Sequence, residues 1–264
     1  VGRYGRLFIR QVWTSALLAA QYRWDFVVDA VVSLFWISTA VIPLFVVYKD
    51  ASSGGIPGWS FGEALVVTGW FILLQGILEG AVNPGLQAVI DHIRKGTLDF
   101  VLLKPADAQF LVSTSRFQVW RITSIVVAGG VFVYAFETIG RAPRLADVFV
   151  SFVLLAGATL LLYSLWILIV SAAFYVVRID NLTYLFSSIF DAARWPATVF
   201  PKVLRWVFTF VVPLALMTTF PAEAMLGRLE GLSVLAALLG TVTFAIAARL
   251  TWLRAIGHYT SAGG

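Results

Sequence analysis

Between two long apolar runs lies Ile93-Arg94-Lys95-Gly96-Thr97-Leu98-Asp99-Phe100-Val101-Leu102-Leu103-Lys104-Pro105, a short charged stretch in an otherwise apolar chain. Its residue types suit recognition without covalent chemistry. Asp91, His92, Arg94, Lys95, Asp99 and Lys104 supply mixed charge, while Leu98, Phe100, Leu102 and Leu103 supply an apolar surface that can pack into a groove on a partner. Gly96 is placed to break a preceding helix so that the segment can turn. A solvated loop with no partner rarely carries leucines and phenylalanine at this density.

Other chemistry is poorly represented. Arg94-Lys95-Gly96-Thr97 reverses the order of a phosphate loop and lacks its leading glycines, so the chain has no nucleotide cradle of that kind. His92 and His258 stand far apart with no ligand-spaced partner, and the absence of Cys removes thiolate sites, so no metal site is expected. The Ser and Thr residues have no companion base in a recognisable motif. Two charge pairs remain. Glu79 and Arg121 fall at similar depth in neighbouring apolar runs and are expected to pair there or to line a path. Asp191 and Arg194, three residues apart, can pair on one helix. Trp59, Trp70, Trp195 and Trp206 read as anchors at a membrane interface. Gly129-Gly130 and Gly157 read as points of close helix approach.

The elements that must hold these residues follow from composition. Across 264 residues, 60% are hydrophobic and 12% charged, with a mean hydropathy of +0.89. That is an integral helical membrane protein rather than a soluble domain. Ten Trp and 21 Phe add the aromatic load of membrane interfaces. A crossing helix needs about 20 apolar residues. Residues 26–48 (with Asp29), 64–82, 117–136, 148–177, 181–200 and 232–248 read as six spans in a single permease-like domain, 1–264. Residues 1–24 lack a signal-peptide core and read as a basic amphipathic helix lying on the membrane surface. Residues 201–228, with Pro201, Pro213 and Pro221, read as a re-entrant hairpin that does not cross. With both termini inside, the 19 basic residues divide 12 to 7 in favour of the inner side, Arg23, Arg178, Arg249 and Arg254 among them. The charge of +5 therefore reports topology, and no nucleic-acid partner is expected.

This order of features resembles the membrane subunit of an ABC type-2 exporter, in a subfamily of stand-alone permeases. The resemblance rests on the surface helix, the charged segment 93–110 after the second span, and a proline-rich hairpin. That hairpin contains Arg194-Trp195-Pro196, Phe200-Pro201-Lys202, Val212-Pro213 and Phe220-Pro221-Ala222-Glu223. It implies that 91–110 is a cytoplasmic coupling segment, with Ile93, Arg94, Lys95, Gly96, Thr97, Leu98, Asp99, Phe100, Leu103 and Lys104 meeting a separate ATPase. It further implies an ATPase dimer that uses ATP and Mg2+, none bound by this chain, and a second identical or related permease. The setting implied is a bacterial plasma membrane, and a path lined by Phe, Trp and Leu with few fixed charges favours an amphipathic, lipid-like or drug-like cargo over ions or sugars. A secondary transporter or channel would need a midplane relay of acids, and the charge-free 148–177 run lacks one. A membrane scaffold or membrane enzyme is the other alternative.

Overall fold

The computed structural model describes residues 2–21, 23–49, 54–175 and 180–259, with the side chains of 23–27, 29, 30, 33, 36, 37 and 180–182 outside that description. The side chains of Arg23 and Asp29, together with Arg178 and the end of the 148–177 run, therefore lie outside that description. The chain is all-helical among the described residues. In order, the helices are α1 (Gly2–Gln21), α2 (Arg23–Lys49), α3 (Phe61–Ile77), α4 (Asn83–Arg94), α5 (Asp99–Leu102), α6 (Ala108–Ser113), α7 (Thr123–Ile139), α8 (Leu145–Ala172), α9 (Asp180–Phe190), α10 (Lys202–Phe210), α11 (Phe220–Met225) and α12 (Gly231–Ile256). Four described helices are long and apolar enough to cross a membrane: Phe61–Arg94, Val119–Ile139, Leu145–Ala172 and Gly231–Ile256. A bent pair, Lys202–Phe210 with Ala215–Met225, would make a fifth.

The core is α3 packed along α7, and α8 packed along α12 and α11. α3 is the most buried helix, with Ala64, Leu65, Val66, Val67, Trp70 and Leu74 at 1% exposure or less. Its start is fixed by a capping box. Glu63 N–H donates to Ser60 Oγ, and Ser60 N–H donates back to Glu63 Oε2 at 2.9 Å. Its contact with α7 is set by glycines that the sequence reading passed over. A Cβ at Gly62 would lie 2.7 Å from Ile139, at Gly69 2.6 Å from Phe132, and at Gly76 2.5 Å from Ser124. Their seven-residue spacing puts all three on one face of α3. The glycines singled out from sequence do less: nothing lies within 4 Å of a Cβ at Gly129 or Gly130, and Gly157 makes ordinary contact.

The helix Phe61–Arg94 carries a π turn at Leu78–Val82. The cause is Pro84, which has no N–H to give the carbonyl four residues back. That carbonyl, of Gly80, instead accepts from the backbone N–H of Gln118 at 2.8 Å. A second π turn, Ala215–Thr219, precedes Pro221 in the same way.

One end of the bundle is closed by Arg228, which pairs with Glu63 and donates to Gly58 O at 3.2 Å, and by Arg141, which donates to Leu226 O at 3.0 Å. α1, the 93–117 segment and the end of α12 gather at the other. Residues 180–226, read from sequence as a fifth span followed by a hairpin, fold as a short helix, two tight turns and a bent helix pair of the kind a broken span or a re-entrant loop makes. α9 has only 11 residues, about 16 Å, and ends in tight turns at Asp191–Arg194 and Ala197–Val199 around a buried Pro196. α10 and the unit formed by the π turn and α11 are bent by 73° from one another. Threonine hydroxyls satisfy the backbone at this break. Thr218 donates to Ala193 O at 2.7 Å, Thr68 to Arg194 O at 3.4 Å, and Ala197 N–H donates to Thr219 Oγ1 at 3.2 Å. Trp70 and Trp59 are buried at 0% and 7% exposure, so they are core residues and not interface anchors; Trp206 is exposed.

Candidate functional site

The charged segment grows out of α4, whose inner face (Leu86, Val89, Ile90) is fully buried. Gly96, at φ 63°, ends that helix in the left-handed conformation. Thr97 N–H then reaches back to His92 O at 2.9 Å, and His92 Nδ1 meets Thr97 Oγ1 at 2.8 Å. The chain turns into the single turn α5, so the helix break expected at Gly96 has a visible geometry.

This turn sorts the segment into two faces. Leu98 is 1% exposed and Val101 8%, both packed into the core, and Ile93 packs partly against it. Phe100 is 70% and Leu103 80% exposed, with Leu102, Arg94, Lys95 and Lys104 also at the surface. The expectation that Leu98 meets a partner is corrected: within a single helical turn, 98 and 101 face inward because 100 and 103 face outward. Gly96 and Thr97 serve the turn, and Asp99 is half-buried.

The segment continues into a polar network that the sequence reading missed. Asp107 caps α6 by accepting from Phe110 N–H at 2.9 Å. Arg249 of α12 donates to both Asp107 oxygens, at 2.6 and 3.3 Å, and to Gln109 Oε1 at 2.7 Å. Gln109 Nε2 donates to the hydroxyl of Tyr163 on α8 at 3.0 Å, and Ser113 Oγ joins it at 2.8 Å. Partial burial pushes the Asp107 carboxyl up, but the Arg249 and Phe110 hydrogen bonds and the Arg249 charge outweigh it and hold the group below its ordinary range. Asp107, Gln109 and Ser113 thus tie the segment to α8 and α12.

α1 clasps the same region. Arg3 donates to Pro105 O at 2.6 Å, Asp107 N–H donates to Tyr4 OH at 3.2 Å, Thr114 Oγ1 donates to Gln11 at 2.6 Å, and Phe117 N–H donates to Ser15 Oγ at 3.2 Å. Tyr4 and Phe8 stack edge-on against Phe110 and Phe117. The signal was present: Tyr4, Phe8, Gln11 and Ser15 recur at helical spacing. Ile9, Trp13 and Leu17 form an exposed apolar face of α1.

Residues 34–263 match the profile of the ABC-2 family transporter proteins. The chain belongs to that family. No curated protein and no solved structure matches it. In this ABC-2 chain the remaining sequence candidates fall into two groups. Arg121 Nη2 lies 2.7 Å from Glu79 Oε2, and Gln75 donates to Glu79 at 3.3 Å. Arg194 Nη2 lies 3.2 Å from Asp191 Oδ1, with its guanidinium 5.4 Å from the centre of the Phe71 ring. Pro201 precedes α10, Pro213 and Pro221 are buried either side of the second π turn, and Glu223 is half-buried in α11. These hairpin residues shape the chain and are not gathered into one site with 93–105. No group of three His, Asp or Glu able to hold a metal occurs among the described residues.

Proposed function

We propose that this ABC-2 chain is the permease subunit of an ATP-driven exporter, and that its 93–105 face receives the ATPase. One observation carries the reading. Phe100, Leu102, Leu103 and Lys104 stand exposed on a turn whose other face is buried and whose continuation is hydrogen-bonded to α8 and α12. A push on that turn is delivered to the bundle instead of being absorbed by a loose loop. α2, α3, α7, α8, the broken 180–226 unit and α12 then act as six crossings, with α1 on the inner surface and both termini cytoplasmic in a bacterial plasma membrane. ATP and Mg2+ belong to a separate ATPase dimer, and a second identical or related permease completes the path. The cargo is amphipathic, lipid-like or drug-like.

The test is co-purification of an ABC ATPase with tagged permease, followed by ATP-dependent transport in vesicles. Loss of both on Phe100→Asp with Leu103→Asp supports the reading; unchanged transport overturns it. The isolated chain should neither bind nor hydrolyse ATP. Because the chain has no Cys, a single Cys at position 95 can be labelled cleanly, and labelling from outside intact cells would reverse the topology.

A further inference from the structure

A groove of 380 Å³ lies between α8 and α12, lined by Leu160, Val242, Ala245, Ile246, Arg249 and Leu250. It sits just past the point where the two helices meet closely, for a Cβ at Gly157 would lie 3.5 Å from Leu238 and 3.6 Å from Thr241. Val242, Ile246 and Leu250 recur every four residues, so they share one face of α12. All three are exposed, as is Leu160 opposite them. The lining is therefore apolar over about 10 Å of helical rise from Val242, and it ends at Arg249.

Arg249 stands 18 residues along α12 from Gly231, about 27 Å by helical rise. That places its guanidinium near the edge of a hydrocarbon layer about 30 Å thick, at the end of the bundle that carries the 93–105 turn. Its side chain is 41% exposed even though Asp107 and Gln109 engage three of its N–H donors; a guanidinium has five. Arg254, one turn beyond Leu250 on the same face, is also exposed. An apolar groove that ends in a guanidinium at this depth matches the two chemistries of a phospholipid, tail and phosphate. Charge then selects the head. A head bearing only its phosphate is drawn to both arginines, whereas one that adds an ammonium brings a cation towards them.

We propose that this groove holds one anionic phospholipid of the leaflet beside the 93–105 turn, with an acyl chain along Val242, Ala245, Ile246 and Leu250 and its phosphate on Arg249. The lipid shares Arg249 with Asp107, so the side chain that ties residues 107–109 to α12 also senses the membrane. Neither an ATPase nor a cargo is needed for this binding.

The test titrates the purified full chain, in a non-ionic detergent, with phosphatidylglycerol or phosphatidylcholine of the same acyl chains, and counts lipid adducts by native mass spectrometry. The wild-type chain should bind phosphatidylglycerol about 5-fold more tightly, the worth of roughly one basic side chain beside an anionic head. Ile246→Trp fills the groove from an exposed position and should weaken binding of both lipids, whereas Val126→Trp, at an exposed position on α7, should not. Arg249→Gln and Asp107→Asn break the same bridge and should differ in outcome. The first should lose the head preference; the second leaves the guanidinium to the phosphate and should keep or raise it. Equal binding of the two heads by the wild type overturns the proposal, as does an Ile246→Trp chain that binds like the wild type. Loss of preference in both bridge variants would overturn it too, since Arg249 would then act only through Asp107. Intact lipid selectivity with no ATPase co-purification would sink the exporter reading and leave this site standing.

Discussion

Leu98 and Phe100 are two residues apart, both apolar, and should fail in opposite ways. Leu98 is 1% exposed, so Leu98→Ala removes a buried side chain and leaves a cavity, at a cost of about 3–5 kcal/mol. Phe100 is 70% exposed. Complete burial of such a side chain is worth about 1.5–3 kcal/mol, and Phe100 realises under a third of it, so Phe100→Ala should cost below about 1 kcal/mol in the isolated chain. If Phe100 fills a pocket on the ATPase, its loss should cost about 2 kcal/mol or more in binding, roughly a 30-fold weaker complex. The assay pairs thermal unfolding of the detergent-purified chain, followed by size-exclusion chromatography, with titration of the ATPase onto immobilised permease. Leu98→Ala should lower the melting temperature markedly, whereas Phe100→Ala should leave it nearly unchanged and weaken binding. The reverse pattern, a robust Leu98→Ala and an unstable Phe100→Ala, would show that the two faces of this turn have been assigned the wrong way round.

Gly76→Ala should destabilise the α3–α7 contact by about 1–3 kcal/mol, because its Cβ would meet Ser124 Cβ at 2.5 Å; adding Ser124→Gly should recover much of the loss in the same melt. Pro84→Ala restores a donor for the Gly80 carbonyl and should release Gln118 N–H, read as faster hydrogen exchange at Gln118. Asp107 has a depressed carboxyl pKa, so its contribution is full above its ordinary value of about 3.9 and is lost as pH falls through the lower folded value. Asp107→Asn should therefore flatten the acid limb of the stability profile, by under about 1 kcal/mol because the pair is half exposed.

How much of this was readable depended on range. The helical class, the charged island and the break at Gly96 follow from local composition and spacing, and these are visible in the residues themselves. The Glu79–Arg121 and Asp191–Arg194 pairs were expected from depth and spacing, and both are present as contacts at 2.7 and 3.2 Å. Arg249 was counted only as an inner positive charge. Its bidentate contact with Asp107 joins residues 142 apart, and no periodicity announces such a partner. The inward turn of Leu98 escaped for a different reason: a four-residue helix offers too few residues for a period to be measured. The glycine stripe at 62, 69 and 76 was legible, since its heptad spacing is in the sequence. The adjacent pair at 129–130 drew the eye instead. The prolines of 180–226 mark where helix stops but not where the chain goes next.

Phe61–Arg94 is counted as one helix of 34 residues, yet its two halves are out of phase by one residue. The π turn at Leu78–Val82 absorbs that residue, so the glycine face of α3 and the buried face of α4 are each correctly aimed only because the extra residue is there. Removing one residue from this turn would rotate everything beyond it by about 100°, while Pro84 would still leave a carbonyl without its helical donor. Leu86, Val89 and Ile90 would swing out of the core, and the 93–105 turn would present a different face to the surface. Substitutions along this helix are therefore matters of size and charge, while changes in its residue count are matters of aim. Among chains built this way, the interval from Gly62 to Gly96 should tolerate exchange of residues far better than any change in its length.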